Sequence, residues 1–210
     1  MLKFQEFFTA CTGRWTTERT YHEVLVGRIE RSYTEFRVEQ ITPAQKQQIL
    51  SLSSLSGIKV AAANNEQEAL PGFAIAFDTR SETGETVSMS LQALFVPDTY
   101  VTSTDTSVET PPPPIAAQVT EGEAIKGFYL RNEGYSEAGA IAGRFTYQPT
   151  RQTLEMTTYY RRSVAVDQMR LLAPDLRLRT IVTYQRPTET SEPPSVIDLV
   201  GFGVERRQSV

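Results

Sequence analysis

Arg177 and Arg179 stand two apart in the run Leu172-Ala173-Pro174-Asp175-Leu176-Arg177-Leu178-Arg179-Thr180. On a β-strand, residues i and i+2 project from one face, which would set two guanidinium forks about 7 Å apart. That spacing suits a ligand with two carboxylates. The other face of the segment carries Leu176, Leu178, Val182 and Tyr184. Alternation alone turns this apolar face inward and leaves the arginines in solvent. On these residues by themselves, the solvent-facing reading is the stronger one.

Other chemistry is narrowed by what is scarce. His22 is the sole histidine and Cys11 the sole cysteine, so a His-rich or Cys-rich zinc or iron site has no ligand set. A Ser-His-acid triad would have to run through His22, and no Gly-x-Ser-x-Gly turn accompanies it. The glycines around Gly139 and Gly143 lack the phosphate-binding patterns, so no nucleotide cofactor is expected. With 21 Lys and Arg against 25 Asp and Glu, the net charge of −4 offers no field to collect nucleic acid. The N-terminus has no basic stretch leading an apolar one, and no run nears the roughly 18 apolar residues that span a bilayer. A chain without a membrane span and without export is expected. Cys11 fits a small apolar residue on a helix face in a reducing compartment.

The elements that would position the arginines are mostly strands. Phe4, Phe7, Phe8 and Cys11 form an i, i+3, i+4, i+7 stripe followed by Gly13, which predicts a short helix. Thr42-Pro43-Ala44-Gln45 combines a cap, a first-turn proline and a capping-box Gln, predicting a second helix over 43–56 before Gly57. Strand-like runs cover 19–28, 32–39, 73–79, 86–96, 125–132, 140–147, 153–163, 166–172, 176–186 and 196–204. Residues 98–114, polar and ending in four prolines, and 187–195 are expected to be exposed loops outside the core. About ten strands at short spacing with two short helices predict an all-β fold, a single domain over 1–210 built as an antiparallel barrel or sandwich, of which a sandwich would fill its own core. A barrel of this size can enclose a ligand.

Gly13-Arg14-Trp15 resembles the Gly-x-Trp element that opens lipocalin barrels, where a large aromatic can simply plug the barrel base. The longer run from Phe7 to His22, with Phe7-Phe8, Gly13-Arg14-Trp15 and Arg19-Thr20-Tyr21-His22, resembles the opening of the S/U-type phycobiliprotein lyases. Asp167 followed by Ala173-Pro174-Asp175-Leu176-Arg177-Leu178-Arg179-Thr180 is similar to that family's acidic residue and its Pro-Asn-Leu-Arg-Leu-Arg strand. The resemblance implies a lipocalin-like barrel, of the fatty-acid-binding-protein kind, that holds an open-chain bilin such as phycocyanobilin. The bilin is then substrate, with no permanently bound cofactor and no metal. Arg177 and Arg179 would bind its propionates, Asp167 would sit near the pyrrole nitrogens, and Trp15, Arg19 and His22 would join the bilin site. Implied partners are an apo-phycobiliprotein subunit, which supplies the cysteine, and a homologous lyase subunit or a second copy of the chain. The implied compartment is the cyanobacterial cytoplasm or the plastid stroma. Three positions depart from the family pattern: Asp167 replaces Glu, Arg170 replaces Trp and Ile181 replaces Ser. A bilin carrier or non-catalytic partner subunit is the alternative function, and a fatty-acid barrel with a single arginine clamp is a third.

Overall fold

The computed structural model describes residues 1–55, 57–61, 69–104, 111–117, 123–134, 137, 139–189 and 191–209. Helix α1 (Phe4–Cys11) leads into strands β1 (Gly13–Glu23) and β2 (Arg28–Gln40), and helix α2 (Pro43–Leu55) follows. The remaining strands are β3 (Ile58–Val60), β4 (Gly72–Ser81), β5 (Thr86–Pro97), β6 (Val101–Thr104), β7 (Ile125–Arg131), β8 (Ile141–Gln148), β9 (Thr153–Tyr159), β10 (Ser163–Ala173), β11 (Leu176–Gln185) and β12 (Ile197–Arg207). Ten of them close into one barrel in the order β1-β12-β11-β10-β9-β8-β7-β5-β4-β2, and β3 pairs with β6 outside it. The expected all-β antiparallel barrel of ten strands with two helices is what forms.

Local chemistry accounts for both helices. Gln45 N donates to Thr42 Oγ1 at 3.3 Å while Thr42 N donates to Gln45 Oε1 at 2.8 Å, the reciprocal cap expected at the start of α2. At the end of α1, Gly13 takes φ +123°, a conformation that L side chains rarely adopt, and the chain swings from helix into β1. Helix α1 closes one end of the barrel. Its Phe7, Phe8 and Cys11 are buried among Trp15, Phe36, Phe95, Phe145, Tyr147 and Leu154. Trp15 Nε1 donates to Cys11 O at 3.0 Å and Tyr147 Oη to Leu2 O at 2.7 Å, tying the helix to the wall. Burial pushes the Tyr147 phenol up to about 12, assisted by the nearby Cys11 and Glu6. Helix α2 lies outside the barrel, where Ile49 packs with Ile41, Leu94, Val96 and Leu130.

One loop expectation is corrected. Residues 98–114 are not wholly exposed: Val101–Thr104 pairs with β3, and Pro111 and Pro114 are buried. Residues 105–110 lie outside the described residues. Downstream, a single 3-10 turn at Ile115–Ala117 approaches the outer wall, with Gln168 Nε2 donating to Ala116 O at 2.9 Å. The 187–195 loop is largely exposed, apart from a buried Pro194 and an undescribed residue 190.

Candidate functional site

The pleat direction of β11 decides the arginine question. Arg177 is 1% exposed whereas Leu178 is 37% exposed, so the arginines turn inward and the leucine faces out. Burial of a guanidinium is tolerable only with a partner, and register supplies one: Arg177 pairs directly across from Glu205 on β12. Its Nε donates to Glu205 Oε2 at 2.8 Å and its Nη2 lies 2.7 Å from the same oxygen. The Arg177 guanidinium carbon also sits 4.0 Å from the centre of the Trp15 ring and 5.3 Å from that of Phe36.

Glu205 gathers two further arginines. Arg19 Nη2 lies 3.4 Å and Arg179 Nη1 3.9 Å from Glu205 Oε1. Both can reach it because Gly203 pairs across from Arg19 on one side and from Arg179 on the other, and presents no side chain between them. A Cβ at position 203 would meet Thr17 Oγ1 at 2.8 Å and Arg19 Cγ at 3.0 Å. Burial pushes the Glu205 carboxyl up, but Arg177, Arg179 and Arg19 together outweigh it and hold the group below the usual carboxylate range.

Arg179 carries the network toward the ligand-sized space. It is a diagonal neighbour of Asp167, which pairs with Ile181 on the adjacent strand. Arg179 Nε donates to Asp167 Oδ1 at 2.9 Å, and Arg179 Nη2 donates to Asp167 Oδ2, giving a two-pronged ion pair. Asp167 and Ile181 then line a cavity of about 320 Å³ whose walls include Tyr129, Arg131, Tyr160 and Thr183. Sites for organic ligands start near that size, roughly 300 Å³. In the network as a whole, the guanidinium groups of Arg19, Arg177 and Arg179 share the carboxylates of Asp167 and Glu205, an excess of one positive charge.

The residues expected at the site therefore divide. Asp167 lines the cavity and Arg179 stands directly behind it; Arg19 joins through Glu205. Trp15 and Arg177 lie at the α1 end, where Trp15 is 1% exposed and plugs the barrel. His22 has the opposite pleat parity to Trp15 and Arg19 and faces outward, its ring stacked on Phe202 with centroids 6.1 Å apart. Of the positions that depart from the family pattern, Asp167 and Ile181 face the cavity and Arg170 is exposed on the outer wall. Glu205, Gly203 and Arg131 were not singled out from sequence. Gly201 and Gly203, two apart in a strand, were the available signal, since strand glycines mark close approach. A larger concavity of about 680 Å³ lies between the outer faces of β1, β2 and β4, lined by Arg14, Tyr33, Glu35, Arg37 and Asp78. It is open, with a mixed polar and apolar lining, and it reaches the buried network at Trp15 and Phe36, whose rings face the Arg177 guanidinium.

No helix among the described residues is long and apolar enough to cross a membrane. A family model described as CpeS-like protein matches residues 3–107 and 114–208. Chromophore lyase CpcS/CpeS 1 of Synechococcus sp. (strain JA-3-3Ab) is 39% identical over 206 residues, covering 98% of this chain and 96% of that protein. Chromophore lyase CpcS/CpeS 2 of Synechocystis sp. (strain ATCC 27184 / PCC 6803 / Kazusa) is 26% identical over 181 residues, 86% of this chain and 80% of that one. Among solved structures, the S-type phycobiliprotein lyase CPES from Guillardia theta superposes with a TM-score of 0.66 at 16% identity, over 100% of this chain and 95% of that one, which extends the likeness to the fold. With sequence likeness along nearly the whole chain and the same barrel, the protein belongs to the CpeS-like family.

Proposed function

We infer that this protein is a phycobiliprotein chromophore lyase, which holds an open-chain bilin in its barrel and promotes attachment to a cysteine of an apo-phycobiliprotein subunit. The observation that carries the reading to particular residues is the Arg179–Asp167 ion pair at the wall of the 320 Å³ cavity. A bilin has two propionates and a row of pyrrole nitrogens. A propionate arriving at Arg179 would compete with Asp167 for the same fork, freeing the Asp167 carboxylate to face the nitrogens. The excess positive charge of the arginine network favours such an anionic guest. A fatty-acid barrel needs one cation at the end of an apolar cavity, whereas here the carboxylate of Asp167 also lines the cavity and three arginines gather behind it.

The chemistry asks for positioning more than for a nucleophile. The partner's cysteine thiolate bonds to the ethylidene carbon of ring A, forming a thioether; the exocyclic double bond opens and the tetrapyrrole takes up a proton. Asp167 would hold the pyrrole nitrogens protonated and so keep the ethylidene electrophilic. The barrel would fix one extended conformer, and proximity of that kind lowers a barrier by several kcal/mol. Arg177 and Trp15 would support this from behind, by locking Glu205 and the closed end. Residues 1–210 would act as one domain, in the cytoplasm of a cyanobacterium or in a plastid stroma, alone, as a dimer or with a homologous subunit.

Mixing the protein with phycocyanobilin and candidate apo-subunits tests this directly. A covalent adduct, seen by zinc-enhanced fluorescence on a denaturing gel, is the expected result. Bound bilin without adduct for any subunit would make the protein a carrier or a non-catalytic partner.

A further inference from the structure

Arg131, on β7, is 2% exposed and belongs to the same cavity wall as Asp167. Its Nη2 donates to Tyr160 Oη at 2.8 Å. Its guanidinium carbon stands 5.4 Å from the Tyr129 ring centre and 5.9 Å from that of Tyr160, and both rings also line the cavity. Aromatic faces and a hydroxyl thus hold a planar, permanently charged donor in one orientation at a wall that a ligand would touch.

Register sets this group at the other end of the shared cavity from the Asp167–Arg179 pair. The row through Arg179 runs by way of Met169, Leu154 and Tyr147 to Ile125 on β7. Arg131 lies six residues beyond Ile125 on that strand, so the two backbones are offset by about 20 Å along the strand direction, and the long side chains extend inward toward the cavity that Arg131 shares with Asp167. The two propionates of a bilin hang side by side from its middle rings, so one cation cluster serves both. A donor at the opposite end of the cavity from the Asp167–Arg179 pair meets a different part of the tetrapyrrole, and the oxygens at its ends are lactam carbonyls.

We propose that Arg131, oriented by Tyr160 and Tyr129, is a specificity-determining binding residue that donates to the lactam carbonyl of a terminal bilin ring and so fixes which way round the chromophore lies. This rests on the bilin reading above.

Binding of phycocyanobilin and of its dimethyl ester, followed by absorption, tests it with Arg131→Met and with the milder Tyr160→Phe. Arg131→Met should weaken both ligands by a similar factor, about tenfold or more as expected for a charge-assisted hydrogen bond, and shift the long-wavelength band. Tyr160→Phe, which keeps the ring, should shift the band in the same direction with a smaller loss. Loss confined to the free acid would mean that Arg131 holds a propionate, overturning the lactam assignment. Unchanged affinity and spectrum in both variants would make Arg131 a packing residue and end the proposal. Failure of the unaltered protein to bind either ligand would instead overturn the bilin reading beneath it.

Discussion

The guanidinium carbon of Arg177 rests 4.0 Å from the Trp15 ring centre while its Nε donates to Glu205 Oε2 at 2.8 Å, so one side chain joins the barrel plug to its buried carboxylate. Removing it would leave Glu205, at 0% exposure, without its main partner. Arg177→Ala is expected to cost about 3–5 kcal/mol in denaturant unfolding. Arg179→Ala keeps that pair and should cost less, about 1–3 kcal/mol, because the Asp167 it leaves unpaired retains some contact with solvent. Bilin absorbance should nonetheless vanish in Arg179→Ala. Equal stability losses in the two variants would contradict this division of labour.

Asp167→Asn preserves shape and removes charge. If Asp167 governs protonation of the bound bilin, adduct formation should fall by about 100-fold or more, while affinity changes only a few-fold and the bound spectrum shifts. The readout is paired absorption and transfer kinetics on the same preparation. Unaltered spectrum and unaltered transfer would reduce Asp167 to a structural partner of Arg179.

Glu155 gives a pH signature. It points away from the barrel interior, opposite in pleat to Leu154 and Met156, yet is only 3% exposed. Gln168 and Thr146 flank it in register, and Thr157 Oγ1 donates to its Oε1 at 3.2 Å. Burial pushes its carboxyl up to about 7, opposed by the Thr157 hydrogen bond and by Lys126. A raised folded-state value means that the native state binds the proton more tightly than the unfolded chain, whose Glu titrates near about 4.3. The stabilisation is complete below about pH 4.3 and is lost as pH rises through about 7. Glu155→Gln should therefore remove a decline of up to about 4 kcal/mol between those limits. Parallel stability profiles for the two proteins over this range would refute the assignment.

Much of the fold was legible in the sequence. Period-2 runs and turn residues pointed to all ten barrel strands, because most strands have their own alternation and punctuation, but the run at 19–28 missed the Gly13 start of β1 and ran through the turn at 24–27. The Thr42-Pro43 cap and the Phe4 to Cys11 stripe located both helices for the same local reason. The short β3–β6 pair escaped, since strands of 3 and 4 residues carry no usable period.

The site divided differently. Sequence alone could name Arg177 and Arg179 and their shared face, but alternation pointed that face outward, toward solvent. The inward turn is a tertiary decision, made because Glu205 lies 28 residues along the chain from Arg177 and meets it only when β11 and β12 pair. The same pairing places Gly203 between Arg19 and Arg179, a vacancy with no meaning until three strands are side by side. His22 shows the converse: it follows Arg19 closely in one motif, yet pleat parity sends it to the outer face. A strand's sequence determines which residues share a face; which face is buried was decided here by the charges that neighbouring strands brought to meet the arginines.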